Sequence, residues 1–160
     1  MSRDEFAAFY AERKDACLRA VMATGMSRDA AEDAVAEAFA RAWSRWRTVR
    51  SCRSPSAWVV RTAVNANISA WRKRHREQAY AEVPDAAGPA GASVEAVDLL
   101  AAIRRLPARQ RDVVVHRYLL DLDTATVAAE LGIAPGTVKA HLHHALAALR
   151  AQVTTPEGTH

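Results

Sequence analysis

The side chains best suited to chemistry are basic, aromatic and amide groups at helical spacing. Arg61, Asn65, Ser69, Arg72 and Arg76 follow one another at intervals of 4, 4, 3 and 4 residues, which is one face of a helix. Trp58 stands a turn before Arg61, and the first acid on this stretch is Glu77. Cations neutralise phosphate, an indole offers a stacking surface, and amides read base edges. A single-stranded nucleic acid requires all three. A solvated helix face is the alternative, although such a face normally mixes both signs of charge.

A second set lies near the C-terminus. Thr137, Lys139, His141, His143 and His144 share the exposed side of one helical stretch, and no acid occurs between Ala134 and Ala148. His141 and His144 are three residues apart and could touch one metal ion, but no nearby Cys, Asp or Glu completes a ligand set, so no metal site is expected. Neither is an enzyme or a cofactor: there is no P-loop, GxSxG, HExxH or glycine-rich dinucleotide turn. Asp33, Glu37, Arg41 and Arg45 step by four along another helix. Glu37 before Arg41 is the favourable order for an ion pair. That face reads either as solvated charge or as a surface for docking a protein. Cys17 falls on an apolar helix side and is expected to be packed, whereas Cys52 falls in a loop, where oxidation is open to it.

Helical periodicity positions these groups, and strand alternation is nearly absent. The first helix is expected over about residues 4–23, with Phe6, Phe9, Tyr10, Cys17 and Val21 on its apolar side. Gly25 stops it and Ser27 caps the second, over about 28–46, whose stripe is Val35, Phe39 and Trp43 widened by Ala42 and Trp46. Ser54 and Pro55 start a third helix to about Arg76, with Ala57, Val60, Val64, Ile68 and Trp71 opposite the polar face. Residues 79–93, AYAEVPDAAGPAGAS, read as a flexible linker. Extended, such a segment spans at most ~50 Å.

The second domain opens with a helix over about 94–105, using Leu99, Leu100 and Ile103. After Pro107 a further helix carries Val113, Val114, Tyr118 and Leu119. The stretch Thr126 to Lys139 then predicts a helix-turn-helix. One helix ends at Leu131, Gly132 takes a left-handed conformation, Ile133 plugs the angle, and Pro135 starts a helix that buries Val138, Leu142, Ala145 and Leu149. The fold class is all-α: two small helical domains joined by a flexible linker, the second containing a helix-turn-helix. The boundaries are 1–78, 79–93 and 94–153, with a frayed tail over 154–160.

Composition agrees. The chain has 160 residues, half of them apolar, enough for two small cores. No apolar run approaches the ~18 residues of a membrane span, and two cysteines make no disulfide scaffold. A soluble, cytoplasmic, reduced protein is expected. The net charge of +4 is uneven: residues 51–80 hold six basic groups and one acid, whereas 81–100 hold four acids and no base. A polyanion-binding face followed by a linker would have this pattern.

Three stretches together resemble bacterial sigma factors of the extracytoplasmic-function type, in the sigma-70 family. They are Ala31-Glu-Asp-Ala-Val-Ala-Glu-Ala-Phe-Ala-Arg-Ala-Trp43, the helix from Pro55 through Arg76, and Leu106-Pro-Ala-Arg-Gln-Arg-Asp-Val113 followed by Leu131-Gly-Ile-Ala-Pro-Gly-Thr-Val-Lys139. Their order and spacing make the resemblance specific, and it covers about residues 4–77 and 94–150. The phrase GTVKAHLHHALAALRA is similar to an actinobacterial, SigE-like subgroup with histidine in its recognition helix.

The resemblance implies a factor that binds core RNA polymerase and directs promoter-specific initiation without catalysing a reaction itself. Asp33, Glu37 and Arg41 would dock the clamp helices of the largest catalytic subunit. Trp58, Arg61, Asn65 and Asn67 would hold unpaired bases of the −10 element, with Arg72, Arg74 and Arg76 on phosphate. Lys139, His143 and His144 would face bases at −35, Thr137 and His141 bases or phosphate, and Arg109 and Arg111 the DNA backbone. Binding energy from trapped bases would hold the strands apart. The resemblance also implies an anti-sigma partner and no membrane insertion. Ala34, Ala36 and Ala40 replace the family's larger residues, so docking is expected to be weaker. The family often has arginine where His141 and His144 stand. A neutral imidazole neutralises no phosphate, so contact at −35 is expected to gain as the rings protonate near pH ~6.5. A dimeric helix-turn-helix regulator acting without polymerase is the alternative. It accounts for 94–150 but leaves the helices before the linker without a task.

Overall fold

A computed structural model describes residues 2–77 and 94–154, with side chains placed for 3–66 and 99–152. The helices are α1 (Ser2–Ala23), α2 (Arg28–Ser44), α3 (Trp46–Val49), α4 (Pro55–Glu77), α5 (Val94–Arg104), α6 (Ala108–Val114), α7 (Thr124–Leu131) and α8 (Pro135–Thr154). Among the described residues there is no strand. The chain forms two compact units, Met1–Gly91 and Ala92–His160. The expected linker over 79–93 lies outside the described residues. So does the expected tail, except that α8 runs through Thr154.

The first unit is built where the start signals predict. Ser27 Oγ accepts from the Ala30 N–H at 3.2 Å, and Ser54 Oγ accepts from the Ala57 N–H at 3.1 Å. Each satisfies a donor that the helix itself leaves unpaired. Ser54 is buried, so this cap holds the entry of α4 inside the core. Gly25, at φ 112°, provides the left-handed turn between α1 and α2.

One boundary differs. The second helix was expected to reach Trp46, but it ends at Ser44. Arg45 departs to φ −121° and Trp46 opens the separate α3. The break turns the Trp46 indole inward, 5.2 Å from the rings of both Phe6 and Phe9. Its Nε1–H donates to Glu5 Oε1 at 3.3 Å. Arg50 Nε reaches the same carboxylate oxygen at 3.2 Å.

Helices α1, α2 and α4 pack mutually around Cys17, Ala20, Val21, Ala31, Ala42, Val59 and Ala63, all without solvent exposure. The many alanines let the backbones approach closely, and each buried valine contributes roughly 1.5–3 kcal/mol. On α4 the buried face is Ser56, Ala57, Val59, Val60 and Ala63. It is wider than the expected stripe, and Val64 is only half-buried. Two neighbours, α1 and α2, cover α4 at once, so its contact sector exceeds that of a helix packed on one side. The side chains of Ile68 and Trp71 lie outside the described ones. Tyr10 and Trp43, expected in the core, are 41% and 45% exposed. They close its edge, against Phe39 at 5.0 Å and Phe6 at 5.2 Å.

In the second unit Val113, Val127, Ala128 and Val138 form the centre, with Leu122, Leu131, Ile133 and Leu142 against it. The expected helix-turn-helix is present. Asp123 caps α7 by accepting from the Thr126 N–H at 2.8 Å. Gly132 stands at φ 68°, and the Ile133 N–H donates to the Ala128 carbonyl at 3.1 Å. Beyond α6 the chain does not continue as α-helix but makes a π-helical turn over Val115–Leu119, and the Leu120 N–H donates to the Val115 carbonyl at 2.9 Å. The surplus residue changes phase. Val113, Val114 and Val115 are consecutively buried and Leu120 joins them, while Tyr118, expected inside, is half exposed with Arg117 over its ring at 5.2 Å. Leu99 is likewise exposed, since Leu100, Ala102, Ile103 and Leu106 occupy the inner side of α5.

Candidate functional site

Helices α2 and α4 border an open cleft of about 770 Å³. From the first come Glu37, Arg41 and Ser44, with Arg45 just beyond its end. From the second come Trp58, Thr62, Asn65 and Ala66. Trp58, Thr62 and Asn65 are spaced i, i+4, i+7, so they stack along one side of α4. Trp58 is half-buried and Asn65 exposed. The indole therefore has a fixed seat and an open face, and the amide is free to meet a ligand. Arg41 Nη2 lies 2.6 Å from Glu37 Oε2, the ion pair expected from their spacing. Both partners are more than half exposed, so the pair orients Arg41 rather than stabilising the fold.

The sequence separated Glu37 and Arg41 from Trp58 and Asn65 as two faces on two helices. The structure brings them to one cleft. Asp33, on α2, and Arg61, on α4, are exposed and do not line it. Asn67, Arg72, Arg74 and Arg76 lie on α4, with side chains outside the described ones. Thr62, Ser44 and Arg45 were not singled out for this role. Signals existed for two: Arg45 continues the step of four from Arg41, and Thr62 lies a turn from both Trp58 and Asn65. A hydroxyl, an amide, an aromatic wall and the Arg45 guanidinium can jointly hold an unpaired base and its phosphate.

The second surface is the outer side of α8. Thr137, Lys139, His143 and His144 are exposed and His141 is half-buried, flanking the inward Val138 and Ala145. The His143 and His144 rings are 5.6 Å apart. Helix α8 contains no acidic residue. An exposed helix of this kind, second in a helix-turn-helix, has the shape and charge to enter a major groove. Arg109 is exposed. Arg111 has a structural partner as well: its Nη1 donates to the Arg104 carbonyl at 3.1 Å and the Leu106 carbonyl at 3.3 Å, tying the end of α5 to α6.

Neither cysteine belongs to these surfaces. Burial pushes the Cys17 thiol up to about 12, against the smaller opposing effects of the Arg13 charge and a hydrogen bond with the Ser56 side chain; Sγ also lies 3.9 Å from the Ser56 carbonyl. Cys52 is half-buried, its Sγ 3.6 Å from the Thr48 carbonyl. Among the described residues no group of three or more His, Cys, Asp or Glu is arranged for a metal ion, and no helix is long and apolar enough to cross a membrane.

Comparison with known proteins places both units in one family. The Sigma-70 region 2 family matches residues 10–77 and the Sigma-70, region 4 family matches residues 96–149. The RNA polymerase sigma-E factor of Streptomyces coelicolor is 33% identical over 152 residues, covering 93% of this chain and 86% of that protein. The ECF RNA polymerase sigma factor SigL of Mycobacterium tuberculosis is 31% identical over 128 residues, covering 75% of this chain and 72% of that one. Among solved structures, the sigma factor RpoE of Bartonella quintana, in complex with the anti-sigma factor NepR, covers 94% of this chain and 99% of its own. Its TM-score is 0.68 at 23% identity, a likeness of fold. With relatives of this identity aligned along nearly its whole length, the chain belongs to the RNA polymerase sigma factors of the extracytoplasmic-function class.

Proposed function

We propose that this chain binds core RNA polymerase and directs transcription initiation from promoters with −35 and −10 elements. The observation that carries the site assignment is the α2–α4 cleft, in which Trp58, Thr62 and Asn65 stand opposite Arg41 and Arg45. An unpaired base of the −10 element stacks on Trp58 and meets Asn65 and Thr62 with its polar edge. Arg45 and Arg61 lie beside the strand, and Asn67, Arg72, Arg74 and Arg76 extend the same helix. Asp33, Glu37 and Arg41, on α2, dock the clamp helices of the largest polymerase subunit. Helix α8 reads the −35 duplex through Lys139, His143 and His144, with Thr137, His141, Arg109 and Arg111 on bases or backbone.

The chain acts by binding rather than by catalysis: holding bases out of the duplex stabilises the open state, and the polymerase performs the chemistry. A soluble cytoplasmic location follows from working with polymerase. An anti-sigma partner follows from membership of a family in which RpoE of Bartonella quintana has been seen with one. The dimeric-regulator reading is not favoured, because the region 2 match over residues 10–77 gives the first unit its own task. Transcription in vitro, with bacterial core enzyme and a promoter library, is the test. Promoter-specific transcripts that require the chain support the assignment. No association with core, or no transcripts, overturns it.

A further inference from the structure

We infer that the chain takes up protons when α8 engages duplex DNA, at His141, His143 and His144; this deepens the reading of α8 as the −35 helix and rests on it. The permanent cations of α8 are Lys139 and Arg150, and the helix has no acid. With neutral imidazoles its formal side-chain charge is +2, and with all three protonated it is +5. Protonation thus more than doubles the charge that α8 can offer phosphate. His143 and His144 are exposed and their rings are 5.6 Å apart. Phosphate oxygens brought alongside these exposed rings in a complex favour their charged forms. Uptake is therefore coupled to binding.

Among the described residues, neighbouring elements supply no carboxylate paired with these rings. Against α8 pack α5, α6 and α7. The titratable and charged groups with placed side chains are Arg104 on α5 and Arg105 just beyond it, Arg109, Arg111 and Asp112 on α6, and Glu130 with the capping Asp123 on α7; the π turn between α6 and α7 adds His116, Arg117 and Tyr118, and the loop after it Asp121. Among the described residues none of the three α8 imidazoles forms an ion pair with a carboxylate. Phosphate is then the anion that sets their charge in the complex.

Linkage gives two readouts. The slope of log affinity against pH equals the net protons taken up, with opposite sign. Each imidazolium that neutralises a phosphate also steepens the dependence of log affinity on log salt by about 0.9. The probe is a short fluorescent duplex, recovered by the full chain from a randomised pool at about pH 8, where imidazoles are neutral. Its binding to the full chain is measured at fixed salt from about pH 8 to about pH 5.5, and the salt dependence is taken at both ends. Affinity is expected to rise about tenfold or more toward acid, and the salt slope to steepen by roughly one to three. A variant with His141→Gln, His143→Gln and His144→Gln keeps hydrogen-bonding groups and is expected to be flat in both respects. It also subtracts any contribution from carboxylates. Lys139→Ala is expected to weaken binding at every pH and to keep the pH slope. A flat wild-type profile, or an unchanged slope in the triple variant whose helical circular dichroism shows it folded, overturns proton uptake alone and leaves α8 a duplex reader. Absence of duplex binding throughout overturns both.

Discussion

Replacing Trp58 with alanine isolates the contact on which the cleft assignment turns. The indole is half-buried between α2 and α4 and lines the cleft beside Thr62 and Asn65. Stacking of one base on an aromatic side chain is worth about 1–3 kcal/mol, which corresponds to a loss of roughly 5- to 150-fold in affinity. Truncating Asn65 removes at most a hydrogen bond, about 0.5–1.5 kcal/mol, and should cost roughly 2- to 12-fold. The tryptophan also contributes to packing, but half-buried it should cost less than the ~3–5 kcal/mol of a fully enclosed aromatic. Thermal unfolding of the variant separates the two effects. The assay is fluorescence anisotropy of a labelled single strand carrying the −10 sequence, titrated with holoenzyme assembled from the full chain and core polymerase. Trp58→Phe, which keeps a ring, should recover most of the loss. A Trp58→Ala holoenzyme that binds the strand as tightly as wild type would refute the stacking role.

Three further outcomes follow from the fold. Ser54→Ala removes the buried cap of α4 and should lower stability by about 1 kcal/mol, read as a lower urea midpoint with an unchanged slope. Gly132→Ala should cost about 1–2 kcal/mol, because φ is 68° and an added Cβ meets nothing within 4 Å, so the penalty is the left-handed backbone alone; Gly132→Asn should cost less. Cys17, with its thiol pushed up to about 12, should resist alkylation in the folded chain while Cys52 reacts, as mass mapping after brief iodoacetamide treatment would show. The sign for stability follows as well. An elevated folded value favours the neutral thiol, so this contribution is intact below the ordinary value near 9.0 and is lost as pH rises from there toward about 12.

What was legible in the sequence was local. Ser27, Ser54, Gly25 and Gly132 each act within a few residues of themselves, and the structure uses all four where their types predict. The Glu37–Arg41 pair is equally local. The misses were nonlocal. Nothing in the periodicity of 28–46 marks a break at Arg45, because the reason lies at Glu5, which receives the Trp46 indole from 41 residues away. Tyr10 and Trp43 have the hydrophobicity of core residues, but whether an aromatic seals an edge or sits beneath it depends on which helix covers it. The site followed the same division. The faces of α4 and α8 could be drawn from spacing, whereas the meeting of Glu37 and Arg41 with Trp58 and Asn65 needed the packing of α2 on α4.

The π turn over Val115–Leu119 acts as a spacer with a one-residue setting. It absorbs a surplus residue without unravelling α6, and Asp121 closes it at φ 58°. Shortening it by a single residue would restore regular helix and swing everything downstream by about 100° with a shift of about 1.5 Å. The Asp123 cap, and with it the launch direction of α7, would then aim elsewhere. The direction in which α7 and α8 leave α6 thus depends on one length choice, and insertions or deletions there would alter it more than most substitutions on α8.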